Sequence, residues 1–175
     1  METEKDESVI QGFIESMVTK AIELAKDEPL PHDVVLSRIK TPDGTILTSE
    51  YRHDYKEYID KNGELYMIDG GCDYCRKSDN KEPATYMPIY ADDDFAVVRT
   101  VVKRGTFDKD GCRIWKPICE LTDEHLHNIL KYNLVHGWGL DNTHSKVVCK
   151  EILYRREHGI SLHDEEIRTQ NEDNG

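Results

Sequence analysis

Several of the usual markers of function are missing from this sequence. Aromatic residues make up only 8% of its 175 residues and tryptophan occurs twice, so each indole stands out. Apolar runs are short, and none approaches the ~18 residues a membrane span needs. The opening METEKDES is acidic and lacks the basic start and apolar stretch of a secretory leader, so a cytoplasmic protein without membrane attachment is expected. Positive charge is also scarce: 23 Lys and Arg face 35 Asp and Glu, leaving a formal net charge of −12. Such a field repels nucleic-acid polymers and anionic membranes. Two partner classes remain natural: a basic protein surface, and a small anion held in a local cationic pocket. The same charge also serves solubility alone.

Catalytic signatures are absent. No G-x-S-x-G, P-loop, G-x-G-x-x-G or H-E-x-x-H occurs. His125 and His127 lie two apart on an expected helix and so point in different directions. His53 and Asp54 are neighbours on an extended segment and face opposite ways, so they form no dyad with each other. They suit backbone groups at a chain reversal. No enzyme and no cofactor is expected. The cysteines, Cys72, Cys75, Cys112, Cys119 and Cys149, are odd in number, which argues against a disulfide framework. Cys72 and Cys75 have C-x-x-C spacing, but a structural zinc takes four ligands and no second pair appears at that spacing. No metal is expected, and the pair follows a Gly-Gly turn where a redox motif would open a helix.

What is present is turn chemistry. Pro42-Asp43-Gly44, Lys61-Asn62-Gly63 and Asp108-Lys109-Asp110-Gly111 mark three reversals between runs of strand-forming residues. Strands are expected over 34–39, 45–49, 55–59 and 64–68, an antiparallel meander, with another at 86–90 and an extended edge at 113–118. In 64–68, Leu65 and Met67 face one way, Tyr66 and Ile68 the other. Between the turns sits Arg52-His53-Asp54-Tyr55, and after them Asp69-Gly70-Gly71, where backbone can approach a neighbour closely. The segment 95–104 is Val-rich, yet Asp92 or Asp93 as a cap and Lys103-Arg104 before Gly105 predict a helix.

Apolar residues at three- and four-residue spacing predict a helix over 6–26, ended by Pro29 and Pro31. Thr122 caps a predicted helix over 123–134, with Leu126, Ile129, Leu130 and Leu134 inward. A last helix spans 144–157 and stops before Gly159. The expected fold is α+β: an antiparallel β meander packed with C-terminal helices, plus an N-terminal appended helix. The expected divisions are a helix in 1–30, a domain over 31–160, and a polar, disordered tail over 161–175.

Cations are few but grouped. Arg104 and Arg113 flank the third turn and are expected to meet across that hairpin; Arg155 and Arg156 close the last helix. Arginine presents a planar fork suited to phosphate, and Trp115 and Trp138 are platforms for a base, with stacking worth ~1–3 kcal/mol. Arg104, Arg113, Trp115, Trp138, Arg155 and Arg156 are therefore the candidate ligand-binding residues, for a small anionic nucleotide rather than a polymer. The competing reading puts the indoles in the core and the arginines against acids.

The blocks TPDGTILTS, RHDY, YMIDGG and DYCR resemble a group of small proteins common in bacteriophages and mobile elements, over about residues 36–160. Some relatives carry Cys-Gly knuckles at the two turn positions, as in a zinc ribbon, where this chain has ordinary hairpin turns. Cys75 before Arg76 is a departure, since that position is often apolar or basic in the group. The order of sheet and helices is also similar to phage anti-Thoeris sponge proteins. That resemblance implies a homo-oligomer that sequesters a cyclic ADP-ribose-type immune signal without cleaving it. An acidic module that inhibits a host protein is the alternative, and a small hydrolase ranks third.

Overall fold

The structure is a computed structural model that describes residues 2–163. In chain order the elements are helix α1 (Glu2–Leu24), strands β1 (Val34–Lys40), β2 (Ile46–Ser49), β3 (Lys56–Ile59), β4 (Leu65–Asp69), β5 (Arg76–Lys77), β6 (Thr85–Tyr86) and β7 (Ile89–Tyr90), helix α2 (Phe95–Val101), strands β8 (Lys103–Phe107) and β9 (Arg113–Pro117), a 3-10 turn (Ile118–Glu120), and helices α3 (Asp123–Val135) and α4 (Thr143–His158). The fold is α+β, with an N-terminal helix, antiparallel sheets and C-terminal helices. No helix among the described residues is long and apolar enough to cross a membrane.

The chain divides into two compact units. One is Pro31–Pro117; the other joins the described parts of Met1–Leu30 and Ile118–Gly175. This differs from a domain over 31–160 with helix α1 standing apart, because α1 packs on both α3 and α4. Val18 and Ile22 of α1, Leu126 and Leu130 of α3, and Val147, Val148 and Ile152 of α4 are all buried. Hydrophobic periodicity shows that a face is buried but not against what. Residues 164–175 of the expected tail lie outside the described residues. Its first residues are tied down: Ser161 Oγ donates to Asp123 Oδ2 at 2.8 Å, and the Asp123 amide donates to the Leu162 carbonyl at 2.9 Å.

In the helical unit, the local signals act as expected. Thr122 accepts from the His125 amide as N-cap of α3, and α4 ends at Gly159 with φ 64°. Asn142 caps α4 by accepting from the Ser145 amide.

In the β unit, the three Gly turns are Asx turns. Asp43 Oδ1 accepts from the Thr45 amide, Asp60 Oδ1 from the Asn62 and Glu64 amides, and Asp108 Oδ1 from the Asp110 and Cys112 amides. Gly44, Gly63 and Gly111 follow with positive φ. The strands do not run on as one meander. β1 pairs with β2, β6 and β7, β3–β4–β5 form a second sheet, and β8–β9 a separate hairpin. The alternation in β4 does hold: Tyr66 and Ile68 are fully buried with Ile39. Helix α2 starts from Asp94, whose carboxylate accepts from the Ala96 amide, and stops at Val101, so Lys103 and Arg104 belong to a strand rather than to the helix end. β-branched residues tip that boundary.

One device joins the first sheet to the loop after β4. Ser37 and Ser49 are cross-strand partners and both are buried. Ser37 Oγ donates to the Gly71 carbonyl at 2.6 Å, and the Gly71 amide donates to Ser49 Oγ at 2.9 Å. Gly71 has φ 58°, and a Cβ there would lie 2.5 Å from the Tyr51 backbone. Ser49 Oγ in turn donates to the Asp54 carbonyl, while the Asp54 carboxylate accepts from the Glu50 amide and pairs with Lys56. The Arg52–Tyr55 knot and the Gly pair thus serve the folding of the chain reversal.

Candidate functional site

The β8–β9 strands hold no acid: KRGTF faces RIWKP. In the register, Gly105 faces Trp115, Phe107 faces Arg113 and Arg104 faces Lys116. Alternation therefore puts Lys103, Gly105, Phe107, Arg113 and Trp115 on one face, and Arg104 and Lys116 on the other. Arg104 and Arg113 consequently do not meet across the hairpin.

The first face carries a layered platform. The Tyr51 and Trp115 rings lie nearly parallel, 4° apart with centroids at 5.0 Å. The Arg113 guanidinium sits 5.1 Å from the Trp115 centroid. It reaches there because Gly105 has no side chain: a Cβ would come within 2.9 Å of Arg113 Nε. Trp115 remains 38% exposed, so the indole is not core filling. Lys103 holds both carboxylate oxygens of Glu50 at 2.8 Å, which fixes the segment that leads into Tyr51. Tyr51 carried no local signal. It follows a strand end and meets Trp115 only through tertiary pairing.

The remaining candidates have other settings. Arg104 donates to the Lys103 carbonyl, and its pKa is lowered by burial, with partial relief from the Cys72 side chain. Arg155 departs most from the expectation. It is 2% exposed and donates to Glu151 at 2.7 Å, Asp123 at 2.7 Å and the Ile118 carbonyl at 2.9 Å. Its guanidinium is an internal tie of the helical unit, because α4 turns it inward toward Glu151 one turn away. Arg156, half exposed, donates to Glu23 at 3.2 Å. Trp138 is 69% exposed and meets Tyr132 edge-on at 6.5 Å. Arg104, Arg113 and Trp115 thus lie in the β unit, and Trp138, Arg155 and Arg156 in the helical one. Of the six, Arg113 and Trp115 lie together, 5.1 Å apart.

A second polar chain runs from His53 Nδ1 to the Tyr74 hydroxyl at 3.1 Å, on to Asp69 Oδ2 at 3.1 Å, and to Arg76 at 2.9 Å. Burial first, then Asp69, raises the Tyr74 pKa. His53 has φ 65°, in the left-handed region. The cysteines form no disulfide; Cys72 is half-buried and Cys75 exposed. Comparison of the chain with protein families, characterised proteins and solved structures finds no match.

Proposed function

We propose that this protein binds a small anionic nucleotide on the Tyr51–Trp115–Arg113 face of the β8–β9 hairpin and releases it uncleaved. The observation that carries the reading is the guanidinium lying over a half-exposed indole on acid-free strands. A cation–π contact at an exposed site is worth only about 0.5–1 kcal/mol. A base can therefore replace the guanidinium over Trp115, gaining ~1–3 kcal/mol of stacking, while Arg113 turns its fork to the phosphate. No ion pair of Arg113 competes among the described residues. The phage sponge resemblance suits the same chemistry, a cyclic ADP-ribose-type signal held and withheld from its receptor. Tight sequestration at nanomolar Kd takes about 12 kcal/mol, so other groups must add to the platform.

The test is a titration of the indole emission with ADP-ribose, cyclic ADP-ribose isomers and cyclic dinucleotides, in a Trp138→Phe background that leaves Trp115 as the reporter. Saturable quenching, lost in Arg113→Ala, with intact ligand recovered after heat denaturation, supports the reading. Unchanged emission with every nucleotide sinks it, and cleaved product makes the protein an enzyme instead.

A further inference from the structure

Helix α1 carries more apolar surface than its own fold uses. Val18 and Ile22 point into the helical unit and are 1% exposed. A second stripe, Ile10, Phe13, Met17 and Leu24, runs beside them with steps of three, four and seven residues, Lys20 lying between the last two, and its apolar members are 36–64% exposed. Val9 adds a residue that is 71% exposed. A helix that packs on one side needs an apolar arc of only about 100°. The stripe shows on the order of 500 Å² of surface, as large as the largest patch of an ordinary monomer.

Shape identifies the occupant. Beside the stripe, Met17, Ala21 and Leu24 of α1 and Leu134 and Leu140 of the facing segments line a groove of about 420 Å³. The small Ala21 is part of its lining, and the bulky Phe13, 64% exposed, lies about two turns earlier on the same helix. Knob and hole on one helix, displaced along its axis, are what a two-fold interface requires.

We propose that the α1 stripe is the contact of a homodimer in which the two α1 helices pack antiparallel about a two-fold axis at Met17. Met17 then meets its own copy, Phe13 enters the groove over Ala21 of the second copy, and Ile10 covers Leu24. Ile10, Phe13, Met17 and Leu24 fall on a and d positions of a heptad, with Lys20 at the remaining d position, so the pair interlocks through the four apolar residues. With the polar flanks of the stripe included, the contact approaches the ~800 Å² per partner of a stable interface.

Sedimentation velocity of the full chain at micromolar concentration reports a dimer. Phe13→Asp weakens it by about 100-fold, as expected for a central anchor, with an unchanged circular-dichroism spectrum because Phe13 is exposed. Register is read by oxidative cross-linking in a Cys75→Ser, Cys112→Ser background. Met17→Cys links to itself, Ile10→Cys does not, and Ile10→Cys mixed with Leu24→Cys does. A monomer at every concentration overturns the proposal, as does self-linking of Ile10→Cys, which is the signature of a parallel pair. None of these results depends on nucleotide binding.

Discussion

At the scale of single residues, glycines separate backbone need from space. Gly63 has φ 81° with open space around it, whereas Gly71 has φ 58° and backbone 2.5 Å from a built Cβ. Gly63→Ala is expected to cost about 1–2 kcal/mol, the left-handed penalty alone. Gly71→Ala is expected to cost about 3 kcal/mol or more, since positive φ and collision add and the serine clasp opens. Urea denaturation of the two variants checks the order. Gly105 is a third kind, with ordinary φ and only the movable Arg113 side chain in the way. Gly105→Val is expected to leave stability within about 1 kcal/mol while pushing Arg113 off the indole. Its signature is a normal urea midpoint with nucleotide quenching reduced. Asp43 adds a pH dependence. The Thr41 hydroxyl, the Thr45 amide and the Tyr58 hydroxyl hold its carboxyl well below the usual range. A depressed carboxyl contributes stability above its unfolded value of about 3.9 and loses it as pH falls further. Asp43→Asn is expected to flatten the loss of stability below about pH 4, measured by thermal melts across acid buffers.

At the scale of elements, the last helix is tied by charge rather than by apolar contact alone. Glu151 and Arg155 side chains are 0% and 3% exposed and lie one turn apart. Removing one partner of such a pair leaves an uncompensated buried charge, so Arg155→Met is expected to cost about 3–5 kcal/mol. The double variant Glu151→Gln, Arg155→Met is expected to cost less than the sum of its parts, which a double-mutant cycle measures. The same pair shows why arginine spacing misleads. Arg155 and Arg156 are equal in sequence, but the helix turns one inward and the other out toward Glu23. Helix ends were legible for a local reason: the Thr122 cap and the Gly159 stop act within a few residues. The α2–β8 boundary was not, because a Val-rich run suits either state and the pairing of Lys103 with Pro117 decides it.

At the scale of the whole molecule, the net charge of −12 is a field effect with a salt signature. Self-repulsion between exposed acids is screened beyond about 10 Å at 0.1 M salt. Moderate salt is therefore expected to raise the thermal midpoint, checked by differential scanning fluorimetry over a salt series. Salt acts the opposite way on the anion site, where it weakens attraction to Arg113. Opposite responses of midpoint and affinity in one series separate the two effects. The sequence by itself determined the α+β class, the three Asx-Gly turns, the Thr122 cap, the Gly159 stop and the alternation of β4, since each rests on forces between near neighbours. Only the tertiary structure decided that Gly71 is clasped by Ser37 and Ser49, that Tyr51 backs Trp115, and that Arg155 is enclosed by acids. Those pairings join residues far apart along the chain, and burial with its desolvation cost, which local spacing does not encode, selects among them.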